Sequence, residues 1–314
     1  MTPATAPLIS VVVPLYDKAA YVERLVACLR AQVFGDFEVI IVDDGSRDDG
    51  VERVERLTRG DPRFTLLRRV NGGVSVARND GIARARSAWI AFLDADDEWH
   101  PDYLAEMAGA IRRWPEAAMI STAHETRSPG CPPTTNEGLL RGHEPIDAAG
   151  FFDAWLRVGE RPVFIGATAI RRDCLERCGG FEPGMALGEE LLTFIRVLEF
   201  GQLVFVDRIL AYYHLSAAGS LATSPSVDAV RGHERLIEAL LDQVRRGRCP
   251  KAVLAKQARI HVYHQMQNGM RREMWASLWR MPTLWPLPFW LMALLESARL
   301  RVPVKRLIAR LAPG

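Results

Sequence analysis

Cysteine is scarce in this chain, and what there is does not pair. The 314 residues contain five, Cys28, Cys131, Cys174, Cys178 and Cys249, an odd number with no C-x-x-C among them. That argues against a disulfide scaffold and a thiolate zinc site and points to a reducing compartment. Cys174 and Cys178, four apart on an expected helix, read as small buried residues. The opening "MTPATAPLIS" has neither a basic start nor a long apolar core, so no signal peptide is expected, and the expected location is cytoplasmic. Long apolar runs are missing too. Met281 to Leu295 is broken by Pro282, Pro286 and Pro288 and is shorter than the ~20 residues of a spanning helix. No G-x-G-x-x-G follows the first apolar segment, which excludes a dinucleotide-dependent oxidoreductase. The same turn, "PLYDKAAY", is no Gly-rich loop with Arg and Lys, which sets aside a nucleotidyltransferase.

What is present is a globular composition, 48% hydrophobic and 25% charged, with a lopsided charge distribution beneath a net of +2. Residues 1–226 carry 24 Lys+Arg and 32 Asp+Glu; residues 227–314 carry 16 and 6. An acidic body is therefore joined to a basic tail. The division predicts a first domain over 1–226 and a helical extension over 227–314.

Within the first hundred residues, apolar β-branched runs alternate with amphipathic segments. "LISVVVP", "FEVIIVDD", "RFTLLR" and "AWIAFLD" read as strands, and "AAYVERLVACLRAQ", "GVERVERLTRG" and "GVSVARNDGIARAR" as helices. Such alternation predicts an α/β fold with a mainly parallel sheet flanked by helices. Ligands of such sheets bind outside the carboxyl ends of the strands, so Pro14 to Asp17, Asp43 to Ser46 and Asp94 to Asp97 are expected along one edge. From about 115 to 162 the pattern weakens. "RSPGCPPTTNEG" (127–138) is a loop by composition, either an inert surface segment or the cover of a site. A strand near 163–170, a helix from about 172, a helix from Glu189 to about Glu199 and a strand in "QLVFVDRILAYYH" follow.

One stretch is chemically odd. "WIAFLDADDEWHPDYL" runs from an apolar strand into Asp94, Asp96, Asp97 and Glu98. Carboxylates crowded at the end of a buried strand repel one another and resist leaving water. Asp94 and Asp96 form a D-x-D, the smallest oxygen-donor site for Mg²⁺ or Mn²⁺, hard cations that keep open positions for phosphates. Alone, D-x-D is weak evidence, since an isolated acidic turn is more often a solvated loop or a helix cap, with Asp97 or Asp102 capping a helix that starts near Pro101.

Read together in order, "SVVVPLYDKAAYVERLVACLRAQVFGDFEVIIVDDGSRDDG", "NGGVSVARNDGIARARSAWIAFLDADDEWHPDYL" and "GGFEPGMALGEELLTFIRV" resemble family 2 of the inverting, nucleotide-sugar-dependent glycosyltransferases. The first two blocks match nearly position by position over residues 8–107, and the match continues more loosely to about 220. The resemblance implies a GT-A (Rossmann-like) fold and a probe-able set of roles. Pro14, Tyr16, Asp43 and Asp44 would hold the nucleotide base, usually uracil. Arg78 would lie near the nucleotide. Asp96 would be the principal ligand of Mn²⁺ or Mg²⁺, with Asp94 nearer the ribose and donor sugar. The Glu189-Glu190 pair would supply the base, Glu190 occupying the position where the family commonly has Asp. His214 would be a further metal or pyrophosphate contact, and Arg196 matches a downstream Arg. Bland alternatives stand beside these: a turn for Asp43 and Asp44, a packing role for Tyr16, a surface ion pair for Arg78, capping for the two glutamates and a packing or surface role for His214.

The implied reaction is an inverting transfer from a nucleoside diphosphate sugar, expected to be a UDP-sugar, to an acceptor hydroxyl; the alternative is a non-catalytic nucleotide-sugar-binding relative. In the tail, Trp275, Trp279, Trp285 and Trp290 precede a run with Arg299, Arg301, Lys305, Arg306 and Arg310. It reads either as an amphipathic helix on an anionic membrane surface or as a helical bundle packed on the catalytic domain or across a homodimer. The membrane alternative makes the chain peripheral on the inner face of the cytoplasmic membrane and its acceptor a lipid-linked saccharide of cell-surface polysaccharide assembly. No nucleic acid partner is expected.

Overall fold

A computed structural model describes residues 6–140, 144–158, 161–185, 187–215 and 226–281. The first β-branched run forms β1 (Ile9–Leu15), a strand buried on both faces, as expected of a central parallel strand. After a short 3₁₀ turn, α1 (Val22–Arg30) turns Leu25, Val26 and Leu29 inward. β2 (Phe37–Asp43), α2 (Gly50–Thr58), β3 (Phe64–Arg68), α3 (Val74–Arg84) and β4 (Trp89–Phe92) follow in the predicted alternation. β1 pairs in parallel with both β2 and β4, and β2 with β3. The three acidic strand ends therefore meet at one edge, as the alternation predicts.

α3 lies on β1 with almost no clearance. A Cβ added to Gly81 would stand 2.3 Å from Val12 Cγ1, so glycine is required for this close approach of helix to sheet.

Beyond β4 the structure departs from the sequence reading in three places. Neither Asp97 nor Asp102 makes the side-chain cap bond expected for the next helix. Glu98–Trp99 form a short strand, β5, and α4 (Tyr103–Arg113) begins later, with Asp102 at its N-cap making no side-chain cap bond. Asp102 instead binds Arg208, and Asp97 accepts from the His214 backbone N–H. Second, the weakly patterned stretch holds a long strand, β6 (Met119–Arg127), the two-residue β7 (Thr134–Thr135) and α5 (Ala148–Val158). Third, the strand expected near 163–170 is a 3₁₀ turn at Ile165–Ala167 followed by β8 (Thr168–Arg171).

α6 (Arg172–Cys178), α7 (Glu189–Val197) and β9 (Leu203–His214) complete this part. The sheet order is β3-β2-β1-β4-β8-β6-β9-β5, with β7 on β6. β8 runs antiparallel between β4 and β6, while β6 and β9 are parallel. The sheet is thus parallel in its N-terminal half and mixed beyond it.

The helices α8 (Val227–Arg245), α9 (Lys251–Gln267) and α10 (Arg271–Arg280) follow. Leu236, Ile237, Leu240, Val253, Leu254 and Met274 belong to the same buried apolar cluster as the sheet. Among the described residues no helix is long and apolar enough to cross a membrane. Trp285, Trp290 and the basic run from Arg299 to Arg310 lie outside the described residues.

Candidate active site

Three strand ends and the start of α7 enclose a cavity of about 550 Å³. Pro14 reaches it from β1, Tyr16 from just past the end of β1, Asp44 from just past the end of β2, Arg78 from α3, Asp94 and Asp96 from the turn after β4, and Glu189 and Glu190 from α7. Of the residues matched to the family, Asp43, Arg196 and His214 stand outside this lining, Arg196 pairing with Glu182. Lys18, Gly72, Gly73 and Met185 line it without having been anticipated.

The acidic turn explains its own charge. The Asp97 N–H donates to the Asp94 carbonyl at 3.0 Å, which closes the turn. Asp94 Oδ1 accepts from Arg78 Nη2 at 2.9 Å. The Asp96 carboxylate is bound by the Lys18 ammonium, and the Asp96 carbonyl by Arg24. Glu98 Oε2 lies 2.7 Å from His214 Nε2. Among the described residues no cation pairs with Asp97 and its Oδ2 has no hydrogen-bond partner; burial, then the neighbouring Asp94, Asp96 and Glu190, hold its pKa well above the usual carboxylate range. Three carboxylates are thus offset by neighbouring basic groups, while burial and the other acids disfavour the charged form of the fourth.

Asp43 and Asp44 divide their work. Asp43 Oδ1 accepts from the Ser46 N–H at 3.0 Å and closes the strand-end turn, the bland alternative weighed for it. Asp44 accepts from the Gly72 and Gly73 N–H groups at 2.9 and 2.8 Å and from Arg69, which fixes the loop leading into α3 against the cavity.

Arg78 is the hub. Its side chain is 2% exposed and faces Asp94, Glu189 and Glu190, the last two at 3.3 and 3.6 Å, with its guanidinium carbon 5.2 Å from the Phe181 ring centre. It is a buried ion pair and not the surface one considered from sequence. Burial opposes its charge, but Asp94, Glu190 and Glu189 together outweigh that and raise its pKa.

Gly188 precedes α7 in the left-handed region, at φ +79°, a conformation favouring glycine, and turns Glu189 and Glu190 into the first helical turn. Glu190 is also held from the far side, by Arg161 Nη1 at 3.3 Å from its Oε2. Burial pushes the Glu190 pKa up to about 7, Arg161 and Arg78 pulling it down and Glu189 and Asp94 pushing it up. A carboxylate poised near neutrality inside a cavity is suited to proton transfer. Arg161 sits in the stretch where sequence periodicity fades, and no local motif marks it.

The donor set fits a hard cation in its chemistry. Asp94 and Asp96 offer carboxylate oxygens at one turn, and each is already neutralised by a cationic side chain. Among the described residues no group of three His, Cys, Asp or Glu converges so as to hold a metal. Remaining ligands would therefore come from the nucleotide or water. His214 is engaged by Glu98, yet it shares with Asp96 a smaller cavity of about 380 Å³.

Residues 10–173 match the model of glycosyl transferase family 2. An uncharacterized protein, y4gI of Sinorhizobium fredii, is 40% identical over 186 residues, 55% of this chain and 20% of that protein. The chain therefore spans only about a fifth of that relative's length. S. aureus TarS 1-349 in complex with UDP-GlcNAc superposes with a TM-score of 0.64 at 18% identity, covering 89% of this chain and 82% of that one. The mannosyltransferase PcManGT of Pyrobaculum calidifontis, in complex with GDP-Man and Mn²⁺, has a TM-score of 0.57 at 21% identity, covering 97% and 83%. At these identities the structures establish the shared fold.

Proposed function

The chain belongs to glycosyl transferase family 2, and from that premise we propose that it transfers a sugar from a nucleoside diphosphate donor, a UDP-sugar, to a saccharide hydroxyl with inversion at the anomeric carbon. One observation carries the reading: Asp94, Asp96 and Glu190 line a single cavity, with Arg78 between the acidic turn and Glu190. TarS, which shares the fold, binds UDP-GlcNAc, and PcManGT binds GDP-Man with Mn²⁺.

On this reading Tyr16 stacks on the base and Asp44 holds the loop against it. Asp96 and Asp94 would hold Mn²⁺ or Mg²⁺, which when bound neutralises charge developing on the leaving diphosphate. Lys18, beside Asp96, supplies a cation of the chain's own at the same place. Glu190 takes the proton of the acceptor hydroxyl. The hydroxyl oxygen bonds to the anomeric carbon as the bond from that carbon to the diphosphate oxygen breaks, and the electron pair leaves with the nucleoside diphosphate. A single displacement from the opposite face inverts the centre and needs no covalent enzyme intermediate. We assign the acceptor as a lipid-linked saccharide of cell-surface polysaccharide assembly, brought to the site by binding of the basic tail to anionic lipid.

The test is turnover. The purified protein with Mn²⁺ and a panel of nucleotide sugars should release nucleoside diphosphate, and Glu190→Gln should stop transfer while leaving donor affinity intact. Donor binding without turnover for any acceptor would instead identify a nucleotide-sugar-binding relative, the reading prompted by Glu at position 190. Liposome flotation of the full chain against a 1–271 truncation tests the tail; equal flotation removes the membrane role.

A further inference from the structure

A second cavity, about 650 Å³, lies on the other side of Glu190. Arg161 belongs to its wall, while the carboxylate that Arg161 binds belongs to the wall of the first. The two cavities therefore meet at the Arg161–Glu190 ion pair, where a base must meet an acceptor hydroxyl.

The walls of this second cavity have a distinct chemistry. Trp155, Phe164 and Tyr213 present aromatic surface, the last two with ring centres 4.6 Å apart. Arg161 and Lys256 bring positive charge, and no Asp or Glu is among the described lining residues. In a chain with nearly as many acids as bases, a wall with cations and no acid selects against neutral indifference. Arg161 makes itself felt inside: burial first, and the Arg161 charge second, press the His124 pKa down to about 4. The segment 127–138, left open above as inert loop or cover, contributes Ser128, Cys131 and Thr134 to this wall. The volume suits a sugar unit or two with a charged substituent.

We propose that this cavity binds the glycosyl acceptor and that the acceptor carries an anionic group, a phosphate or carboxylate, which Arg161 takes up as it releases Glu190. The inference rests on Glu190 being the base. It gives the ion pair a purpose: without acceptor, Arg161 holds Glu190 in place and favours its ionised form. Once the anion engages the guanidinium fork, Glu190 loses a stabilising charge, becomes more basic and faces the acceptor hydroxyl. Arg161 is a binding and positioning residue, since the proton itself moves from the hydroxyl to Glu190.

Calorimetry on the full chain saturated with UDP tests this, using methyl β-D-glucuronide as the carboxylate probe, glucose 6-phosphate as the phosphate probe and methyl β-D-glucoside as the neutral one. At least one anion should bind about tenfold or more tighter than the neutral glucoside, and which one does so identifies the anionic group. Arg161→Gln should erase the preference, Arg161→Lys should retain part of it, and Gln257→Trp should block all three probes by filling the cavity. UDP affinity should stay unchanged in each variant. Equal binding of the three probes, absence of binding by both anions, or a preference that survives Arg161→Gln overturns the proposal. The UDP titration separates the two readings: failure of the wild type to bind UDP refutes the donor site, whereas UDP binding without anion preference refutes only the acceptor inference.

Discussion

The guanidinium of Arg78 stands 2.9 Å from the Asp94 carboxylate, and its other contacts, Glu189 and Glu190, come from a helix more than ninety residues further along the chain. One buried cation thus ties the acidic turn after β4 to the start of α7. Removing it by Arg78→Met leaves three carboxylates facing one another without their shared partner. A loss of about 3 to 5 kcal/mol is expected for breaking such a buried network. Urea denaturation should show it as a lowered midpoint, and Arg78→Lys should recover only part, because an ammonium cannot face three carboxylates as the guanidinium fork does. A midpoint unchanged in Arg78→Met would mean that the network contributes nothing to the fold.

The acid limb of activity should be set by Glu190. With its pKa raised to about 7, the fraction in the basic form falls as pH drops below neutrality, so transfer should decline from pH 8 to pH 6. Arg161 lowers that pKa, so Arg161→Gln should move the limb to higher pH, and a shift to lower pH would contradict the assignment. Glu190→Gln should cut turnover by about 10² to 10⁴-fold, the usual worth of a positioned base.

How much of this was legible beforehand depends on the range of the interactions. The alternating pattern through β4 is set by local periodicity and by a buried parallel core, so β1 to β4 and α1 to α3 fall where the residues suggest. Asp94, Asp96 and Glu190 were found because each belongs to a short motif. Lys18 and Arg161 act through partners 78 and 29 residues away, and nothing near either one signals it. β5 escaped because two residues paired with β9 need no pattern of their own, and the acidic context resembled a cap. β6 escaped because its second half is only partly buried, which blurs the alternation.

Acid should loosen the C-terminal helices first. His233 and His261 pack against each other, Nδ1 to Nδ1 at 3.4 Å, and burial presses their pKa values down to about 3 and about 4; His264 beside them is lowered as well. A histidine with a depressed folded pKa loses nothing above its ordinary value of 6.5. Below it the unfolded chain binds the proton and the folded one does not, so stability falls as pH drops from 6.5 toward 4. Each of the buried pair should contribute on the order of 1 kcal/mol per pH unit in that window. Urea midpoints followed from pH 7 to pH 4.5 should fall steeply, and more gently in His261→Gln. Equal slopes in the two proteins would remove the histidines as the cause.

Lys18 offers the sharpest test of whether Asp96 meets a metal. Its ammonium is bound to the Asp96 carboxylate, so on the proposed reading a divalent cation at Asp96 would have to displace it. The pair is partly exposed, at 35% and 23% of the two side chains, and such pairs are worth about 0.2 to 1 kcal/mol. Lys18→Gln should therefore tighten Mn²⁺ binding to the nucleotide-free protein by a factor of roughly 2 to 5, measured by paramagnetic resonance of the free ion. With donor present the sign should reverse. The displaced ammonium then has a diphosphate to approach, so the variant should bind UDP-sugar more weakly even though it holds the metal more tightly. If Lys18→Gln weakens both, Lys18 supports the acidic turn and does not compete at it; if it changes neither, Asp96 is not where the metal binds.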